Sequence, residues 1–240
     1  MRTKLCAELG TAAHGNLGVA IQMIQAVAPF VDAVKVQHYG AVNPADPQKD
    51  WLEASRWSQL ELLNLRDQAH GRGLELWATP FDTGALNQLL DIGVDRIKIA
   101  STQADEDWWW RKPVIPGTFE RAIPSVVSWP WGQGGQQSSR LPSTIWLTAI
   151  PLYPTPLEAV SQAKTLDGWS DHIVGLSACY KAIVEGAQWI EAHLKLPGVT
   201  TRDRDWEKTP EDFRQLRQFA EDVETMRTGV SQVFRDRWVR

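Results

Sequence analysis

A chain of 240 residues, 43% of them hydrophobic, is long enough for one α/β barrel, which takes ~250 residues and manages with ~200. A formal net charge of −4 with scattered basic residues excludes a general nucleic-acid binder, and no apolar run approaches the ~20 residues of a membrane span. Cys6 and Cys179 lie far apart in apolar segments, as reduced thiols of a cytoplasmic protein would, and the opening MRTKLCAELG enters a strand pattern without the apolar stretch of a signal peptide.

In chain order, TKLCAEL reads as a strand and residues 16–29 as a helix. DAVKVQ is a second strand, followed by a helix over 58–71 that opens with the capping box Ser58-x-x-Glu61 and stops at Gly71 and Gly73. LELWATPF and RIKIAS are the third and fourth strands. The next stretch, DEDWWWRKPVIPGTFERAI, carries Pro113 and Pro116, which break any long helix. PSVVSW is the fifth strand, and PWGQGGQQSSRLPS after it predicts a loop where a fifth helix would stand. TIWLTAI, a helix over 155–166, a short strand entering DGWSDH, a helix over 174–186 and the strand QWIEAHL follow. The last helix, 210–226, opens with Thr209, Pro210 and Asp212 as cap, first-turn proline and capping acid. Eight strands alternating with helices predict a parallel barrel or a doubly wound sheet. With no internal repeat and no dividing linker, residues 1–240 are expected to form one domain.

Side chains alternate faces along a strand. Leu5, Ala7 and Leu9 therefore oppose Cys6 and Glu8, while Val34 and Val36 oppose Lys35 and Gln37. Ile97 and Ile99 oppose Lys98 and Ala100, and Ile190, Ala192 and Leu194 oppose Trp189, Glu191 and His193. Each strand has an aliphatic face for packing under helices and a second face bearing ionisable groups. Parallel strands are buried on both faces, so such charges must pair, bind a ligand or bind a metal. One pair such as Glu8–Lys35 would read as a structural ion pair. Glu8, Lys35, Lys98 and His193 together read as the polar C-terminal layer of a barrel active site.

Seven segments carry a resemblance in the same order along the chain: AELG at 7–10, DAVKVQ at 32–37, ATPFD at 78–82, KIAS at 98–101, YPTPLEAV at 153–160, WSDH at 169–172 and IEAHLKLPG at 190–198. In these the chain resembles the barrel domain of the N-acetylneuraminate (sialic acid) synthase family. The antifreeze-like C-terminal domain of typical members is not found in these residues. The resemblance implies an α/β fold of the TIM (β/α)8 type, shortened or irregular around the fourth and fifth helices. It implies a cytoplasmic transferase that condenses phosphoenolpyruvate with an aldose or amino-sugar aldehyde, giving a sialic acid-like 2-keto-3-deoxy sugar acid and phosphate.

By the same resemblance His172 and His193 would bind a divalent cation, Mn²⁺ or Mg²⁺, with Glu8 beside it as a third catalytic residue. Lys35, Lys98, Ser101 and Ser170, with Ser128, would hold the phosphate and carboxylate of phosphoenolpyruvate. Asp82 and Asp203 would face the sugar, and Gln37, on the same strand face as Lys35, joins the substrate-binding candidates. No nucleic acid or membrane partner is expected, and a homodimer is left open. The chain departs from the family pattern mainly on the sugar side, at Ala13, His14, Thr102, Gln103, Pro151 and Ala192. Two other functions are therefore weighed: a non-catalytic sugar- or partner-binding relative, and another metal-assisted sugar aldolase or isomerase.

The remaining features have plainer readings. Trp108–Trp110, Trp129, Trp131 and Trp146 either fill volume beside shortened helices or form a sugar-stacking platform or subunit interface. His38 is expected to be a solvated loop residue rather than a third ligand, and Cys6 a packing residue deep in the barrel.

Overall fold

All eight predicted strands form: β1 (Lys4–Glu8), β2 (Ala33–His38), β3 (Glu75–Pro80), β4 (Arg96–Ile99), β5 (Ser125–Pro130), β6 (Ile145–Ala149), β7 (Gly168–Asp171) and β8 (Trp189–His193). Each pairs in parallel with the next, and β8 pairs with β1, closing a TIM-type barrel. The structure, a computed structural model, describes residues 1–104, 125–131, 144–199, 201 and 205–238. The predicted loop after β5, Trp108–Trp110 and Asp203 fall outside the described residues. Between β4 and β5 the described residues add only a 3₁₀ turn, Ser101–Gln103.

The alternation read along the strands separates two apolar clusters. The larger joins Leu5, Ala7, Val34, Val36, Ile97, Ile99 and Ile190 to the surrounding helices. The smaller, Cys6, Ala33, Trp77, Val126, Leu147 and Trp189, fills the barrel from the opposite strand faces. Here two large rings, 4.5 Å apart, plug the interior. Arg96 donates to Glu75 Oε2 at 2.7 Å, as does Trp77 Nε1 at 2.7 Å, so the N-terminal end is closed by a bonded polar lid. Gly168 is required beside this plug, because a Cβ would collide with the Trp189 carbonyl and Leu147. Trp129 and Trp146 meet edge to face at 5.8 Å and pack with the outer cluster, while Trp131 is exposed.

The helices are α1 (Gly10–Ala13), α2 (Leu17–Val27), α3 (Lys49–Ala54), α4 (Gln59–His70), α5 (Thr83–Ile92), α6 (Leu157–Val160), α7 (Ser177–Glu185) and α8 (Pro210–Trp238). Both halves of the predicted capping box at Ser58 and Glu61 are present, and Thr209 and Asp212 form the same reciprocal pair at α8. α8 runs past the predicted end at 226. α7 starts three residues later than predicted, after Gly175 turns the chain at φ 84°.

The predicted helix over 155–166 shrinks to the single turn of α6. Distant side chains capture its backbone: Thr148 Oγ1 donates to the Lys164 carbonyl at 2.7 Å and accepts from Leu166 N at 3.0 Å, and Lys181 donates to the Ala163 carbonyl at 2.9 Å. α3 and α5 were not anticipated. α5 is started by Asp82, whose Oδ1 accepts from Ala85 N at 2.8 Å.

Candidate functional site

Above the tryptophan plug the inward residues become polar. Parallel register sets Glu8 level with both Lys35 and His193 and Ser170 level with Glu191. Glu191 is the centre of this layer: Lys35 Nζ donates to its Oε1 at 2.9 Å, Lys98 Nζ lies 3.3 Å from the same atom, and Ser170 Oγ donates to it at 3.3 Å. Lys35 also pairs with Glu8, whose Oε1 accepts from Gly10 N at 2.6 Å. Alternation placed Glu191 on the polar face without giving it a role.

All four charged residues are buried, and with two carboxylates against two ammonium groups the layer is balanced. Burial pushes the Glu191 carboxyl up, but the ammonium groups of Lys35 and Lys98 outweigh it and hold the group well below the usual carboxylate range. Burial depresses Lys35 to about 8, with Glu191 opposing and Lys98 adding to the shift.

The ion pairs are not shut away. Lys35, Lys98 and Glu191 line a cavity of about 700 Å³ that also reaches Gln37, Thr79, Asp82, Ser101, His172 and His193. Its outer wall includes α3, where Trp51 stacks on His14 at 5.2 Å. Glu8, Ser128 and Ser170 sit buried beside the cavity rather than along its lining. Ser128 Oγ and Thr79 Oγ1 are buried with no hydrogen-bond partner among the described residues. Sequence reasoning missed Thr79, although it shares a strand face with Trp77 and is registered with Gln37.

Three expected contacts take a different form. Both carboxylate oxygens of Asp82 hold backbone, Ala85 N and Gly40 N, the latter at 2.7 Å, so it caps α5 and anchors the β2 loop while lining the cavity. Gln37 Oε1 accepts from Tyr39 Oη at 2.8 Å. His38 is fully buried, not solvated, and its Nε2 meets Gln88 Oε1 of α5 at 2.6 Å; it follows Val36 on the outward face.

The histidines stand at the ends of neighbouring strands, β7 and β8. Their ring centroids are 5.3 Å apart with planes inclined at 59°. Tyr153 meets His172 edge-on at 4.5 Å, and Trp206 meets His193 edge-on at 6.4 Å. With metal–nitrogen bonds of ~2.1 Å, two imidazoles sharing a cation put their centroids roughly 4.5–5.5 Å apart, so the spacing fits. His172 Nδ1 is buried with no hydrogen-bond partner among the described residues. Burial, then His193 and Lys98, lower the His172 pKa well below its ordinary value, favouring the neutral ring that ligates metals. Among the described residues no group of three or more His, Cys, Asp and Glu side chains is arranged to hold an ion.

Comparison with known proteins places this barrel. An uncharacterized protein from Methanocaldococcus jannaschii is 25% identical over 236 residues, covering 89% of this chain and 68% of its own. The N,N'-diacetyllegionaminic acid synthase of Legionella pneumophila is 26% identical over 267 residues, covering 92% of this chain and 72% of its own. The N-acetylneuraminic acid synthetase of Leptospira borgpetersenii serovar Hardjo-bovis, solved with citrate, superposes with a TM-score of 0.78 at 20% identity, over 100% of this chain and 93% of that one; this likeness shows the fold. The NeuB family profile matches residues 11–111 and 145–232, most of the sequence, and the chain therefore belongs to the NeuB family.

Proposed function

We propose that this barrel condenses phosphoenolpyruvate with an aldose or amino-sugar aldehyde to give a sialic acid-like 2-keto-3-deoxy sugar acid and phosphate. One observation carries the reading: two imidazoles end adjacent strands over a cavity whose floor holds Lys35 and Lys98 on Glu191. The names of two relatives, an N,N'-diacetyllegionaminic acid synthase and an N-acetylneuraminic acid synthetase, support it. In the reaction C3 of the donor bonds to the aldehyde carbon, whose oxygen takes up a proton. Water adds at C2, and cleavage of the C2–O bond releases phosphate.

Lys35 and Lys98 hold the donor's phosphate and carboxylate, and the hydroxyls of Ser101, Ser128 and Ser170 orient its oxygens. Gln37 and Asp82, in the cavity lining, would contact the acceptor, and the family resemblance assigns the same role to Asp203. Glu191, held far below the usual carboxylate range, is too weak a base to take a proton readily; it keeps the two ammonium groups in place, and Glu8 does the same for Lys35. His172 and His193 would hold Mn²⁺ or Mg²⁺, which when bound supplies a Lewis acid for the aldehyde oxygen. Because the protein's own inner charges already cancel, a trianionic donor entering alone would leave uncompensated buried charge. Donor and divalent cation should therefore strengthen each other's binding.

Phosphate release tests the proposal, measured with phosphoenolpyruvate, Mn²⁺ or Mg²⁺ and a panel of aldoses and amino sugars. Release should require both an aldehyde and the metal. No release across the panel, with Mn²⁺ shown to be bound, would sink the reading. Sugar cleaved or isomerised without phosphoenolpyruvate would move the site to a metal-assisted aldolase or isomerase.

A further inference from the structure

Behind the two histidines, on the outward side of β7, lies a buried ion pair that the proposed reaction does not use. Lys208 is 1% exposed and Asp171 fully buried, with Nζ 2.8 Å from Asp171 Oδ2. The same ammonium donates to the Ile173 carbonyl at 2.7 Å and to the Trp206 carbonyl at 2.9 Å. An ammonium has three protons; two go to these carbonyls, and the Asp171 carboxylate supplies the ion pair.

Two of those partners, the Asp171 carboxylate and the Ile173 carbonyl, flank His172 in the chain, so one ammonium holds a side chain before that imidazole and the backbone after it. The main chain of Lys208 holds the other histidine: its N–H donates to the His193 carbonyl at 2.7 Å, and its carbonyl accepts from Lys195 N at 2.8 Å. The third acceptor belongs to Trp206, whose indole stands edge-on to His193 and 5.8 Å from Tyr153. A single residue thus ties the end of β7 to the end of β8.

We infer that Lys208 is a positioning residue that sets the separation of the His172 and His193 imidazoles, and through it the affinity for a divalent cation. The affinity half of this inference rests on the reading that these histidines hold such an ion. A buried lysine is a costly way merely to fill space. Its ammonium fixes two backbone carbonyls and one carboxylate around the site, which an apolar side chain of the same volume would leave free.

The test is the double variant K208M/D171N, which removes both charges together and so avoids leaving a lone buried carboxylate. Mn²⁺ affinity is read from the EPR signal of free Mn²⁺, thermal unfolding is followed in parallel, and the variant is crystallised. The expected result is unfolding close to that of the unaltered protein, Mn²⁺ binding weakened by about 10–100-fold, and a His172–His193 separation moved from 5.3 Å. Unchanged Mn²⁺ affinity with an unchanged separation would overturn the inference.

If the double variant does not fold, K208R decides, because it keeps the charge while a planar guanidinium replaces three tetrahedral donors. Weaker Mn²⁺ binding by folded K208R supports the inference, and unaltered binding overturns it. Should the unaltered protein bind no Mn²⁺, the metal reading fails by itself. The crystal structures then judge Lys208 alone, a retained separation in either folded variant counting against it and a shifted one for it.

Discussion

Two buried ionic clusters lie on opposite faces of β7 and β8, and they are finished to different degrees. In the outer one Lys208 donates to two carbonyls and ion-pairs with Asp171 Oδ2 at 2.8 Å, an atom with no hydrogen bond beyond that pair among the described residues. Asp171 Oδ1 accepts from Trp169 Nε1 at 3.0 Å. In and around the inner one Glu191 Oε2, Ser128 Oγ, Thr79 Oγ1 and His172 Nδ1 are buried with no hydrogen-bond partner among the described residues. Both clusters hide charge equally well, so burial alone does not separate a structural pair from a site. Unmet hydrogen-bonding capacity beside a cavity does, because a native interior rarely leaves polar atoms unpaired.

The most severe way to challenge this contrast is to cut one partner from each cluster. Glu191→Gln and Lys208→Met should each destabilise by about 3–5 kcal/mol, the usual cost of orphaning one side of a buried ion pair, measured by urea unfolding. Their responses to anion should then diverge. Phosphoenolpyruvate at 100 times its Kd should restore about 2.7 kcal/mol to the Glu191→Gln protein, where Lys35 and Lys98 have lost a counter-ion. The same concentration should do less for Lys208→Met, where Glu191 still occupies the two ammonium groups and the donor's Kd stays at the weaker value of the unaltered protein. Equal recovery in both, or none in either, would remove the distinction.

At the rim the expected effect falls on binding rather than folding. His172→Ala should weaken Mn²⁺ by more than the about 10–100-fold lost with an outer-shell partner, with unfolding little changed; calorimetric titration reads the first and urea the second. Retained Mn²⁺ affinity would mean that the two imidazoles do not share an ion. Donor binding should also be pH-dependent through Lys35, whose pKa is lowered from 10.5 to about 8. Above that pH it loses the charge that meets the donor, so kcat/KM for phosphoenolpyruvate should fall up to tenfold per pH unit. The sign for stability is opposite. Between pH 8 and 10.5 the unfolded chain binds the extra proton at this group, so its contribution to stability rises with pH, and unfolding does not account for the loss. In Lys35→Arg, whose side chain does not deprotonate, that limb near pH 8 should vanish.

What the sequence reveals follows the range of the interactions involved. The eight strands and the aliphatic faces of β1, β2, β4 and β8 were legible because period-two alternation is local, and so were the caps at Ser58 and Thr209. The helix over 155–166 was over-read because the side chains that capture its carbonyls, Thr148 and Lys181, come from other elements. α5 was missed, and the capping role of Asp82 with it, because nothing local tells a carboxylate that holds Ala85 N from one that only lines a cavity. Lys35, Lys98 and the histidines stood out through alternation and resemblance. Glu191 sat on the correct face, but its bridging of two lysines depends on strands far apart in sequence. The Asp171–Lys208 tie, across 37 positions, left no periodic trace.

The finest test of the contrast uses two buried hydroxyls of neighbouring strands. Thr148 Oγ1 donates to one backbone group and accepts from another, whereas Ser128 Oγ has no partner. Removing a satisfied hydroxyl strands its partners at about 1–3 kcal/mol, so Thr148→Val should lower unfolding stability and leave donor affinity alone. Ser128→Ala should stay within about 0.5 kcal/mol in stability, since no protein bond is lost. It should weaken phosphoenolpyruvate binding by the 0.5–1.5 kcal/mol net worth of one hydrogen bond, roughly 2- to 12-fold. That crossed result is what an unfilled ligand layer demands of its spare hydroxyl. If Ser128→Ala instead loses stability and keeps its donor affinity, Ser128 is a packing residue, and the donor's oxygens must be held by Ser101, Ser170 and the two lysines alone.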